Sequence, residues 1–173
     1  FLTAHQAPYL QASEVRAAAL ARAKAEDKRV FLHFGAPWCG WCHRLEGWMA
    51  QPAITALLAK DFVELKIDTD RMVGGEELLA AARASAGLTA GGGIPWIVFY
   101  DADGNALANS EGNDGNIGFP YQPAEIEHFI GMLKKTAMRL TRDDIDALSK
   151  SLNAIREADE AKKKAAAEAG AKK

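Results

Sequence analysis

Residues 31–49, FLHFGAPWCGWCHRLEGWM, decide the fold. An apolar run (Phe31, Leu32, His33, Phe34) leads into Gly35-Ala36-Pro37, and an amphipathic stretch follows from Gly40. That order reads as a buried strand, a tight turn and a helix. The only two cysteines of the 173 residues, Cys39 and Cys42, sit where the turn becomes the helix. Cys39 falls at the N-cap and Cys42 inside the first turn. A helix N-terminus carries about half a positive charge and unpaired N–H groups, so it favours a thiolate. This matters because the reactive form is the thiolate, and an ordinary thiol with a pKa of about 8.5 is mostly protonated at neutral pH.

Trp38-Cys39-Gly40-Trp41-Cys42, a CXXC motif after a strand, resembles the active site of the thioredoxin superfamily. A second motif, Ile94-Pro95 after the Gly91-Gly92-Gly93 run, resembles the cis-proline pair that faces the cysteines in that family. The resemblance implies thiol–disulfide exchange, with Cys39 as nucleophile and Cys42 as resolving thiol. It also implies that Trp38, Gly40, Trp41, Ile94 and Pro95 border the substrate, with Ile94 offering its backbone N–H and C=O. No cofactor beyond the redox-active disulfide is implied. The partners would be protein thiols or disulfides and an unidentified redox donor. Other readings of the cysteines are weaker. Cys39 to His43 also spells the c-type haem attachment pattern, but that chemistry calls for neither the preceding strand nor Trp38. A zinc site needs two further ligands, and no second cysteine pair exists. A structural or idle disulfide in a non-catalytic binding module stays open as the alternative function.

Composition narrows the classes. A net charge of −2 argues against nucleic-acid binding through bulk charge. No apolar run approaches the roughly 18 residues that span a bilayer. The start at Phe1, with no Met and no basic-then-apolar leader, is what signal-peptide removal or trimming would leave. One redox motif and no further bridges suit a periplasmic or exported protein, or alternatively a cytoplasmic one. A monomer is expected.

Outside the motif, residues 1–12 read as irregular. Ser13 reads as the cap of a helix to about residue 27, with Val15, Ala19, Leu20 and Ala23 on one face. Residues 29–35 form a strand covered on both sides, with Val30, Leu32 and Phe34 opposite Phe31 and His33. A helix at 53–60 follows Pro52. Residues 62–68 alternate as an edge strand with Glu64, Lys66 and Asp68 outward. A helix at 76–86 ends at Gly87, a strand covers 97–100, a turn 101–104 and a last strand 105–110. Residues 111–123 form a Gly- and Asn-rich loop. It either shapes a substrate groove or anchors Ile117, Phe119 and Tyr121 to the core. A closing helix spans 123–139, with Ile126, Phe129, Ile130 and Leu133 inward. Thr141 opens another helix in capping-box style, carrying Ile145, Leu148, Leu152 and Ile155. From Arg156 the Ala/Lys/Glu composition reads as a solvated helix or a disordered tail.

The fold expected is α/β: a thioredoxin-like three-layer fold, a mixed central sheet of about four strands flanked by helices, with extra N- and C-terminal helices. Residues 1–140 form the thioredoxin-like domain and 141–173 a C-terminal helix and tail. Two departures mark the site. Where thioredoxins place a buried Asp that takes a proton from the second thiol, this chain has His33, and Glu64 replaces the Lys that accompanies it. His33 is thus either a proton relay for Cys42 or a packed, hydrogen-bonded core histidine. His43, next to Cys42, is either a solvent-facing helix residue or a group that tunes the thiolate. With Trp41 and His43 the stretch looks closest to bacterial thioredoxin-like proteins bearing W-C-x-W-C and then His or Lys, many of them exported.

Overall fold

Residues 30–35 are all buried, and the strand they form sits inside a sheet covered on both faces. The computed structural model describes residues 10–89 and 91–171; most of the segment expected to be irregular at 1–12 lies outside it. The elements run α1 (Ala12–Glu26), β1 (Arg29–Gly35), α2 (Gly40–Met49), α3 (Pro52–Leu58), β2 (Phe62–Asp68), α4 (Gly75–Ser85), β3 (Trp96–Tyr100), β4 (Ala106–Asn109), β5 (Glu111–Gly112), β6 (Gly115–Asn116), α5 (Pro123–Thr136) and α6 (Arg142–Gly170). The main sheet has the order β2-β1-β3-β4. β1 pairs parallel with β2 and antiparallel with β3, and β3 pairs antiparallel with β4.

Alternation along β1 splits the interior into two layers. Val30, Leu32 and Phe34 join Ala12, Ala19, Ala23 and Leu79 beneath α1 and α4. Phe31 joins Leu45, Trp48, Phe129, Leu133 and Leu148 beneath α2, α3, α5 and α6. The result is the expected three-layer fold. Among the described residues no helix is long and apolar enough to cross a membrane.

Several expectations are corrected. Ser13 does not cap α1: the helix begins at Ala12 with Gln11 at the N-cap and no side-chain cap bond. Gln11 instead bridges to Val73, and main-chain bonds from Ala12 N to Val73 O and from Val73 N to Leu10 O tie down this entry. β2 is an edge strand with Val63, Leu65 and Ile67 inward, but Asp68 is buried. Its carboxylate accepts the N–H groups of Asp70 and Arg71 and closes the following turn. The 111–123 segment is not wholly irregular, because β5 and β6 pair as a short hairpin. Gly115, at φ 105°, takes a conformation there that other residues rarely adopt. α6 continues as helix to Gly170. Its start has the expected reciprocal bonds between Thr141 and Asp144.

A buried carboxylate joins the two ends of this architecture. Asp61, just before β2, accepts the N–H groups of Met138 (2.8 Å), Arg139 (2.6 Å) and Leu140 (3.0 Å) in the α5–α6 link. Arg139 then pairs with Asp27 at the end of α1. Asp61→Ala strands these donors and is expected to lower unfolding free energy by about 3 kcal/mol, read from urea denaturation as a lower midpoint at unchanged slope.

Candidate active site

Gly35 ends β1 and leaves room for the helix that carries the cysteines. A methyl group there would stand 3.2 Å from Cys42 Sγ and 3.3 Å from its Cβ. α2 can therefore start directly above the end of the strand. Cys39 is the N-cap of α2, with extended backbone, and its sulfur accepts the Cys42 N–H at 3.1 Å. The two cysteines form a disulfide with their Cα atoms 5.2 Å apart. Both are buried, Cys39 slightly the more exposed. Sγ of Cys39 also lies 3.5 Å from the carbonyl oxygen of Ile94. On reduction this contact allows a thiol-to-carbonyl hydrogen bond.

The two motifs that were distant in sequence thus meet. The Ile94–Pro95 peptide bond is cis, and Ile94 packs against Cys39 and Cys42. Trp38 and Trp41 stand at the surface, 71% and 48% exposed. The indole N–H of Trp38 donates to Asp70 at 2.8 Å. Trp41 stacks on Phe119, with ring planes 17° apart, and leans on Tyr121 at 5.6 Å. The guanidinium of Arg44 lies 5.2 Å, 5.6 Å and 5.4 Å from the ring centres of Trp41, Phe119 and Tyr121, within cation–π range. Its Nη2 donates to Asp159 of α6 at 2.6 Å. That hydrogen bond holds the Asp159 carboxyl below its ordinary pKa. The 111–123 segment anchors Ile117 and Phe119 in the core, and a cleft of about 290 Å³ lies between the segment, Trp41 and Ile94.

His33 is fully buried on the α2 side of β1, with Nε2 3.3 Å from Glu64 Oε1. Its Nδ1 has no hydrogen-bond partner among the described residues. His43 is exposed, and its Nε2 donates to the Pro37 carbonyl at 2.7 Å. Gly40 faces open space, where a methyl group would meet nothing within 4 Å. Sequence reasoning missed Glu46, one helical turn beyond Cys42. Its carboxylate pairs with Lys66 of β2, and Oε1 lies 4.0 Å from the methyl position at Gly35. The i, i+4 spacing from Cys42 was the available signal.

A family model described as thioredoxin-like matches residues 13–102, a little over half of the chain. The chain belongs to the thioredoxin-like family. It is similar to the thiol:disulfide interchange protein DsbD of Vibrio vulnificus, at 39% identity over 93 residues, 53% of this chain and 14% of that protein. It is also similar to an uncharacterized protein of Caenorhabditis elegans, 33% identical over 109 residues, 59% of this chain and 14% of that one. The thioredoxin-like chain thus spans about one-seventh of the length of the curated relatives it matches. Among solved structures, the disulphide isomerase from Xylella fastidiosa Temecula1 superposes with a TM-score of 0.55 at 28% identity, covering 72% of this chain and 90% of that one. Relatives named for thiol–disulfide chemistry and a close cysteine pair together support that general reaction type.

The two glycines of the site make opposite demands. Gly35→Ala crowds Cys42 and is expected to lower stability by about 1–3 kcal/mol. Gly40→Ala, in open space at the first helical position, should leave stability unchanged or raise it by roughly 0.5–1 kcal/mol. Thermal unfolding of the two oxidised variants beside the parent measures both.

Proposed function

We propose that this protein is a thiol–disulfide oxidoreductase that exchanges disulfides with protein substrates through Cys39 and Cys42. The observation that carries the proposal is a disulfide at a helix N-terminus with one sulfur against the Ile94 carbonyl. Run as a reduction, the Cys39 thiolate attacks one sulfur of a substrate disulfide. That S–S bond breaks as the mixed disulfide forms, and the departing sulfur takes a proton. The Cys42 thiolate then attacks Cys39 Sγ, closing the Cys39–Cys42 disulfide and releasing the second substrate sulfur as a thiol. Two electrons pass to the substrate, and a dithiol donor restores the pair. The opposite direction uses the same steps reversed.

Trp38, Gly40 and Trp41 border the substrate in this reading, with Ile94 and Pro95 opposite. No cofactor beyond the disulfide is needed. A monomer suffices, since both sulfurs, Ile94 and the aromatic wall belong to one chain. The resemblance around Trp41 and His43 supports an exported, periplasmic setting.

Wild-type protein is expected to reduce insulin with dithiothreitol, and Cys39→Ser to be inactive. Cys42→Ser should hold mixed disulfides through Cys39 that non-reducing gels resolve and dithiothreitol dissolves. Absence of both reduction and adducts would replace the proposal with a binding module holding an idle disulfide.

His33 is proposed as the group that receives the Cys42 proton, from its burial two residues before the glycine that touches Cys42 and from its unpartnered Nδ1. His33→Asn should slow mixed-disulfide resolution at pH 7 by about tenfold or more and move the rate–pH midpoint upward. An unchanged profile would sink the role, and the same shift in Glu46→Gln alone would transfer it to that carboxylate.

A further inference from the structure

One side chain holds the main chain on both sides of Ile94. Asn116, in β6, directs Nδ2 to the carbonyl oxygens of Gly93 (2.8 Å) and Pro95 (2.9 Å). Its Oδ1 accepts from the Ser110 hydroxyl at 2.7 Å and from the Gly118 N–H at 3.2 Å. A primary amide has two donors and two acceptor sites, and all four are engaged here. The amide orientation follows from its partners: two carbonyls require the nitrogen, and a hydroxyl already committed with an N–H requires the oxygen.

A second side chain reaches the same carbonyl from α4. Arg83 of α4 donates Nη2 to Gly93 O at 2.7 Å while its guanidinium lies 5.6 Å from the Trp96 ring centre. Burial lowers its pKa from the ordinary arginine value. Gly92 makes the approach possible, since a methyl there would stand 3.2 Å from Arg83 Nη2. The carbonyls before and after Ile94 are thus tied back to the protein, and the carbonyl of Ile94 itself is left toward Cys39.

We infer that Asn116 is a positioning residue for substrate. It aims the Ile94 main chain at the polypeptide flanking the reacting cysteine, so that recognition of an extended protein segment depends on it and the sulfur chemistry does not. The β5–β6 hairpin is then the device that brings an amide to this loop. The inference rests on the proposed disulfide exchange. Asn116→Asp keeps the shape, removes both donors, and sets a carboxylate against two carbonyl oxygens. Asn116→Ala removes the clamp without adding charge.

The test compares kcat and KM for insulin, a polypeptide disulfide substrate, with those for 5,5′-dithiobis(2-nitrobenzoate), a disulfide with no main chain. The Cys39–Cys42 reduction potential and the thermal midpoint are measured on the same variants. In Asn116→Asp the loss of kcat/KM for insulin is expected to exceed that for the small disulfide by about tenfold, mainly as raised KM, at wild-type potential. Arg83→Met should show the same selective pattern more weakly. If Asn116→Asp does not fold, Asn116→Ala carries the comparison. Equal losses on both substrates, or none, would overturn the inference. A wild-type protein inactive on both disulfides would instead overturn the exchange reading, and this inference with it.

Discussion

The close approach of Cys42 to Gly35 governs the redox end of the molecule. β1 is buried along almost its whole length and cannot shift without disturbing both apolar layers. Its last residue has no side chain, so α2 seats its first turn directly on the end of the strand. This fixes Cys39 at the N-cap, where backbone N–H groups and the helix field converge on sulfur. It also fixes the distance from Cys39 to Ile94, because β1 and β3 are paired neighbours. A bulkier residue at position 35 would lift the helix and open the gap between sulfur and carbonyl.

The strands and the layers were legible because they write themselves in periods of two. Val30, Leu32 and Phe34 in β1, and Val63, Leu65 and Ile67 in β2, name their faces directly. The cysteine pair and Ile94-Pro95 were legible as motifs. The clamps were not. Asp61 meets residues 77 to 79 positions away, and Asn116 meets Gly93 and Pro95 across a hairpin too short to show a pattern. A polar residue that satisfies distant main-chain groups leaves no periodic trace. The same holds for α6 beyond Arg156: its Ala-rich composition favours helix, but no pattern in it announces that Asp159 meets Arg44 of α2.

The two positions that mark departures from thioredoxins, His33 and Glu64, are neighbours in space. The resemblance led one to expect an acid on β1 and a base on β2. The structure has an imidazole on β1 and a carboxylate on β2, 3.3 Å apart, so the acid–base partnership is kept with its members exchanged between strands. Lys66 follows on β2, with its ammonium on Glu46 of α2. Two separate acid–base pairs, His33 with Glu64 and Lys66 with Glu46, therefore stand along this part of the sheet.

Arg44 gathers Trp41, Phe119 and Tyr121 around one guanidinium and hands its remaining charge to Asp159. Because that carboxyl is held below its ordinary pKa, the joint is intact above the carboxylate range and yields only as pH falls through it. Across the neutral range where thiols change charge it stays as it is. Both side chains are partly exposed, so mobile ions screen the joint. Ionic strength rather than acidity is the variable that loosens the protruding end of α6 from the aromatic face beside the disulfide.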